Sequence, residues 1–239
     1  MNEQKNSQLF IEGMKASIPI ALGYFAVSMA YGMAAIIQGL TVTESVIISL
    51  TNLTSAGQFA GTTLICAGAS LIELIVTELI INARYFLMSI SLAQKTGGKL
   101  PLWQRMLMAY GITDEIYAVA ISSKGNLRFS WFMGLVIPPV VGWTMGTLGG
   151  ALASSFLPAD LVNALGLAMY GMFIAIFVPA ARKEKSVAVC VLIAIALSCL
   201  FAFTPVLKNL SSGYVIVLVT IVAAAFCAWK FPREDEDDA

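Results

Sequence analysis

Apolar residues along this chain gather into eight stretches, near positions 17–37, 43–66, 68–93, 103–121, 129–156, 161–180, 186–204 and 210–229. The last two, 186–204 and 210–229, contain no charged residue. A bilayer core of about 30 Å is crossed by roughly 20 apolar residues in a helix, and these runs have that length. The pattern predicts an all-α fold: a polytopic membrane helix bundle of six to eight transmembrane or re-entrant helices. No linker is long enough to divide it, so residues 1–239 form a single integral membrane domain. Residues 1–16 read as a cytoplasmic N-terminal segment and residues 230–239 as an acidic cytoplasmic tail.

Two stretches are poor spans. The second holds Asn52, Thr54, Ser55, Gly57, Gln58, Gly61, Thr62 and Thr63. The fourth holds Arg105, Asp114 and Glu115, and a charge at mid-helix costs about 2.5–3.5 kcal/mol on insertion scales. The basic residues bear on how they run. Lys5 and Lys15, Lys95 and Lys99, Lys124 and Arg128, and Arg182, Lys183 and Lys185 form four clusters between stretches. Eight simple spans put Lys95 and Lys99 outside the cell. Re-entrant or broken second and fourth stretches put all four clusters in the cytoplasm, as the positive-inside rule favours. Both arrangements leave both termini cytoplasmic.

Composition agrees and removes several functions. Of the 239 residues, 59% are hydrophobic and 12% charged, about half the charged share of a soluble domain. The formal net charge of zero gives no reason to expect nucleic acid as a partner. The absence of histidine removes histidine-dependent triads and the common zinc sites, and leaves proton chemistry to carboxylates. The four cysteines lie in apolar runs without ligand spacing. No G-x-x-x-x-G-K-[ST] loop is present. An enzyme is not expected, nor a cofactor or metal. The N-terminus lacks a cleavable signal, so the first stretch should stay in the mature protein.

The third stretch carries Glu73, Glu78, Asn82 and Arg84. Ionisable residues at such depth are costly and usually face a partner or a wet cavity. On a regular helix, Glu78, Asn82 and Tyr85 share one stripe, and Glu73, Thr77 and Arg84 another. Glu78 and Arg84 then cannot pair, and Arg84 needs a partner elsewhere. The fourth stretch offers Asp114 or Glu115, with Tyr110, Asp114 and Tyr117 on one face. The plainer reading is a helix start capped by Thr113, the acids favouring its dipole. In the second stretch, Ser55-Ala56-Gly57-Gln58-Phe59-Ala60-Gly61 suits either a helix broken beside a ligand or a polar packing seam. Together these groups fit a zwitterion with an aliphatic side chain. The inventory alone also fits an ion or another small polar solute.

Read in order, Pro19, Gly23, Tyr31-Gly32, Ala56-Gly57-Gln58-Phe59, Glu78, Asn82-Ala83-Arg84-Tyr85, Thr113-Asp114-Glu115, Trp143, Gly146-Thr147 and Gly149 resemble the AzlC family. That family comprises the large subunits of bacterial branched-chain amino-acid exporters. The resemblance implies a multi-pass protein of the bacterial inner membrane. It also implies export of valine, leucine or isoleucine, with a small hydrophobic membrane subunit of the AzlD type as partner. Tyr85 departs from the histidine expected there in many relatives. Apart from the resemblance, the lack of a nucleotide site and of histidine leaves proton antiport to supply the energy, the entering proton carried by Glu78, Asp114 or Glu115. Glu78 is the expected carrier, because it lies near the middle of its helix and shares a face with Asn82 and Tyr85. The alternative is a passive channel, or an exporter for another small polar solute. The candidate substrate-binding or coupling residues are Gln58, Phe59, Glu78, Asn82, Arg84, Asp114 and Glu115. Pro19, Gly23, Gly57, Trp143, Gly146 and Thr147 are structural candidates.

Overall fold

The computed structural model describes residues 2–97, 100–154, 156, 174, 178–204 and 210–231. Most of the sixth stretch, with Gly166 and Gly171, lies outside the described residues, as do Lys99 and the acidic tail at 234–238. The described residues are helical and include no strand. Ten helices have defined bounds: α1 Asn2–Ile37, α2 Val42–Thr51, α3 Ser55–Cys66, α4 Leu71–Ile81, α5 Arg84–Lys95, α6 Leu102–Tyr110, α7 Asp114–Ser122, α8 Phe129–Ser154, α9 Lys185–Phe203 and α10 Ser212–Lys230. Four of them, α1, α8, α9 and α10, are long and apolar enough to cross a membrane.

The pair α1 and α8 forms the spine of the bundle and shares the largest helix–helix interface. Lipid tails supply no hydrophobic drive between helices, so close approach of backbones at small residues does the holding. Gly134, Gly142, Gly146 and Gly150 of α8 lie against the backbones of Phe10, Ala21, Phe25 and Met29 of α1. The contacts advance in the same direction along both helices, so α1 and α8 run parallel. This packing begins early in α1, where Gly13 meets Trp131 and Leu135. It carries the helix back to Asn2, through a polar segment that the apolar pattern leaves outside the first span.

Between these pillars the chain is broken three times. The second stretch breaks at 52–54, the third at 82–83 and the fourth at 111–113. The first break begins where Asn52 leaves the helix for extended backbone. Its side chain accepts from the Thr54 amide at 3.2 Å, and Thr54 then caps α3 by accepting from the Gly57 amide. At the second break, i→i+3 bonds from Ala83 to Ile80 and from Tyr85 to Asn82 tighten the chain. At the third, Gly111 abuts Val136 of α8, and Thr113 turns extended and caps α7.

Contacts fix how these pieces run. Gly57 and Gly61 of α3 face Glu78 of α4, so the two helices are antiparallel and α2–α3 doubles back as a hairpin. Lys95, at the end of α5, donates to the Ile121 and Ser123 carbonyls at the end of α7, and its own carbonyl accepts from Leu127. The fourth stretch therefore returns to the face it entered from. Ser123, Lys124 and Arg128 gather with Leu9 and Glu12 of α1, so that face is the N-terminal one. α4–α5 thus runs towards that face, with one hairpin on either side of it in the chain.

The last helices follow suit. Ser211 and the Gly213 amide bond Glu73 near the start of α4, and Cys227 reaches the Ser186 carbonyl at the other end. Lys185 and Lys230 thus share the face of Lys95, Lys124 and Arg128, which the positive-inside rule assigns to the cytoplasm. A membrane-impermeant thiol reagent should label native Cys66, exposed at the outer end of α3, in intact cells. A cysteine at position 97 on a cysteine-free background should react only after permeabilisation. Strong external labelling at 97 would restore eight simple spans.

Two expectations need correction. The third stretch is not one regular helix. Asn82 spends its side chain on Glu78 and Thr54, and such local bonding competes with helix continuation. The stripe of Glu73, Thr77 and Arg84 is therefore divided: Glu73 and Thr77 turn to α10, while Arg84 starts a new helix. Tyr110, Asp114 and Tyr117 do not share a face either, because the break at 111–113 separates α6 from α7.

Candidate functional site

The three breaks converge beside α1 and α8. Tyr110 at the end of α6 donates to the Leu50 carbonyl near the end of α2, so the tips of the two hairpins touch. Around them lies a cavity of about 380 Å³, at the small end of the usual 300–1,000 Å³ for ligand pockets. Leu53 and Ser55 reach it from the first break, Tyr85 from the second, and Thr113, Asp114 and Glu115 from the third. Pro19, Ile20, Gly23, Tyr24 and Val27 of α1 and Trp143 of α8 complete the wall.

One side of the cavity is ionic. The Arg84 Nη2 atom stands 2.9 Å from Asp114 Oδ2, and the guanidinium lies over the Tyr85 ring, 5.2 Å from its centroid. Tyr24 donates to Glu115 Oε2 at 2.5 Å, and its oxygen lies 2.6 Å from Thr113 Oγ1. Asp114 and Glu115 sit in the first turn of α7, where the helix dipole favours negative charge. The capped helix start and the pairing with Arg84 thus hold together rather than compete. The start of α3 differs. It borders the same cavity at Ser55 and has no acidic residue of its own in its first turn. The carboxylate nearest to it, Glu78 of α4, lies against Gly57 on the side of the α3–α4 seam.

Behind this wall lies a buried polar chain. Trp143 Nε1 donates to Gln58 Oε1 at 2.8 Å, Gln58 Nε2 to Ser49 Oγ at 2.5 Å, and Ser49 and Thr147 share a bond at 2.6 Å. All four side chains are essentially inaccessible. The chain ties both arms of the outer hairpin to α8 and orients the indole that faces the cavity. Phe59 packs edge-on against Tyr31, and Tyr31 shares a hydrogen bond with Thr62.

A second polar cluster occupies the seam between α3 and α4. Asn82 Nδ2 donates to Glu78 Oε2, and Thr54 Oγ1 donates to Asn82 Oδ1, each at 2.8 Å. A Cβ on Gly57 would fall 2.6 Å from Glu78 Oε2, and one on Gly61 2.8 Å from Oε1, so these two glycines let the carboxylate in.

Residues 19–157 match the AzlC protein family. An inner membrane protein of Escherichia coli (strain K12) named YgaZ is 31% identical over 191 residues, spanning 77% of this chain and 78% of the relative. This chain belongs to the AzlC family. An uncharacterized membrane protein of Archaeoglobus fulgidus is 32% identical over 181 residues, 75% of this chain and 79% of its own. The branched-chain amino acid transport protein AzlC of Bacillus subtilis (strain 168) is 24% identical over 190 residues, 76% and 72% of the two chains. No solved structure matches. The relations support a membrane transport role in a multi-pass inner-membrane protein.

In this AzlC-family chain the candidate residues divide into three groups. Asp114 and Glu115 line the cavity, with Pro19, Gly23 and Trp143 in its wall, and Arg84 stands next to it as the ion-pair partner of Asp114. Gln58, Phe59 and Thr147 stand behind it in buried packing, and Gly146 sits in the α1–α8 seam. Glu78, Asn82 and Gly57 form the separate seam cluster. Sequence reasoning missed Tyr24, the hydroxyl that meets Glu115, and Thr54, which links the seam cluster to the first break. A lone tyrosine beside Gly23 in an apolar run was the available sign for the first, and Asn52-Leu53-Thr54, with its capping residues, for the second.

Proposed function

We propose that the protein is a secondary transporter exporting branched-chain amino acids, with a small AzlD-type membrane subunit as partner and an entering proton as the driving ion. The observation that carries this reading is the cavity where three helix breaks meet, ionic on one side and apolar on the other. Half-helix ends at mid-membrane are a recurrent way for transporters to hold charged substrate groups. The substrate carboxylate would face the start of α3 and the unused donors of Arg84. Its ammonium would face Asp114 and Glu115. An aliphatic side chain would lie against Ile20, Val27, Leu53 and Trp143.

Counterflow in proteoliposomes tests it. Vesicles holding unlabelled leucine should accumulate labelled leucine, valine or isoleucine from outside transiently, with saturation, and glycine should compete poorly because it leaves the apolar wall unfilled. A linear, non-saturating flux would mark a channel. Counterflow of a different solute class would move the substrate assignment.

A further inference from the structure

Glu78 differs from the two carboxylates of the cavity. Asp114 has Arg84, and Glu115 has Tyr24. Glu78 has one oxygen bonded by Asn82, while its Oε1 is buried and without a hydrogen-bond partner among the described residues. No basic side chain forms an ion pair with it among those residues. A buried polar atom left unpaired is costly in a membrane, where water does not satisfy it. Glu78 also does not line the substrate cavity. It opens instead onto a groove bounded by Asn82 and Tyr85, and Tyr85 lines both spaces.

We infer that Glu78 is the proton-binding residue of the transport cycle, and that its protonation state reaches the substrate through Asn82 and Thr54. The inference rests on the transport reading above and names its coupling route. When a proton from the outer side forms the O–H bond on Glu78, the carboxylate loses its charge and with it the strong pull on the Asn82 amide. Asn82 in turn accepts from Thr54, whose oxygen caps α3 at Gly57. Thr54 lies between Leu53 and Ser55, both in the cavity wall. The proton site thus touches the hairpin tip that closes on the substrate. On release of the proton to the cytoplasm the same O–H bond breaks and the charged hydrogen bond re-forms.

The surroundings favour a proton over a metal ion. No group of three or more metal-ligating side chains gathers among the described residues, and beside Oε1 stand Gly61 and Leu74. Of the other titratable groups on neighbouring elements, Glu73 is held by Ser211 and Gly213, and Arg84 by Asp114. Tyr85 shares the groove. Cys66 ends α3, and Tyr214, Cys227 and Lys230 belong to α10.

The full chain with its small partner in proteoliposomes separates the possibilities. Glu78→Gln should keep leucine counterflow within about twofold of wild type and lose all response to an imposed pH gradient. Substrate-triggered proton movement, read with a pH dye in weak buffer, should vanish with it. Glu78→Asp should retain a pH response. Thr54→Val should keep proton binding yet move fewer substrates per proton. Survival of pH-driven uphill transport in Glu78→Gln overturns the inference, as does driving by sodium instead of protons. Loss of counterflow together with coupling also overturns it, marking Glu78 as a substrate ligand. Absence of counterflow in the wild type brings down the transport reading first, and this inference with it.

Discussion

Arg84→Ala is expected to lower export by about 10–100-fold while the protein still inserts and assembles. The first half follows from the donors lost. Hydrogen bonds to charged groups contribute about 1.5–3 kcal/mol each, and about 1.4 kcal/mol is a factor of ten. Arg84 commits one nitrogen to Asp114 at 2.9 Å, leaving the rest of its five-donor fork for a carboxylate. The second half follows from exposure. The side chains of the pair are 46% and 42% accessible, and exposed ion pairs add little to stability. The glycine-lined spine of α1 and α8 does not involve Arg84 at all. Efflux and membrane-inserted yield, measured on the same cells, separate the two halves. Wild-type efflux would remove Arg84 from the site.

The conservative change sharpens the point. Arg84→Lys would keep a positive charge near Asp114 but remove the planar fork. If Arg84 only neutralises Asp114, Arg84→Lys should restore transport. If it also grips the substrate, the pair should re-form and transport should not return.

The chain's apolar pattern foretold this architecture to an unequal degree. The uninterrupted runs that became α8, α9 and α10 were legible because length and apolarity alone decide a span. The broken second and fourth stretches were legible through their transfer cost and through Lys95 and Lys99, which made no sense outside. The break in the third stretch was not. Residues 71–95 read as a continuous helix because no proline or glycine interrupts them. Asn82 ends α4 only when Thr54, 28 residues earlier, supplies its partner. Long-range bonds of that kind have no local signature. The pairing of Arg84 with Asp114 was foreseeable, a cation within an apolar stretch needing an anion, whereas Tyr24 on Glu115 was not. Gln58 illustrates the reverse limit: a lone amide among small residues fits a ligand or a packing seam equally. Its place in the buried chain from Trp143 to Ser49 emerges only once α8 is laid against the hairpin.

Export by this protein should also respond to membrane voltage. Under the proposed antiport a branched-chain amino acid would leave as a zwitterion of zero net charge while the entering proton carries one positive charge, so each cycle would move one charge inward. An interior-negative potential pulls that charge in and should therefore speed export. Moving one charge through 100 mV is worth about 2.3 kcal/mol, which sustains a substrate ratio of about 50-fold across the membrane. Vesicles loaded with labelled leucine and potassium, diluted into low potassium with valinomycin, develop an interior-negative potential. Efflux through molecules oriented as in the cell should accelerate there, and slow when the potassium gradient is reversed. Glu78→Gln, which would exchange substrate without a proton, should ignore both. An unresponsive wild type with intact counterflow would rule out one proton per zwitterion, because no other charge crosses in that cycle.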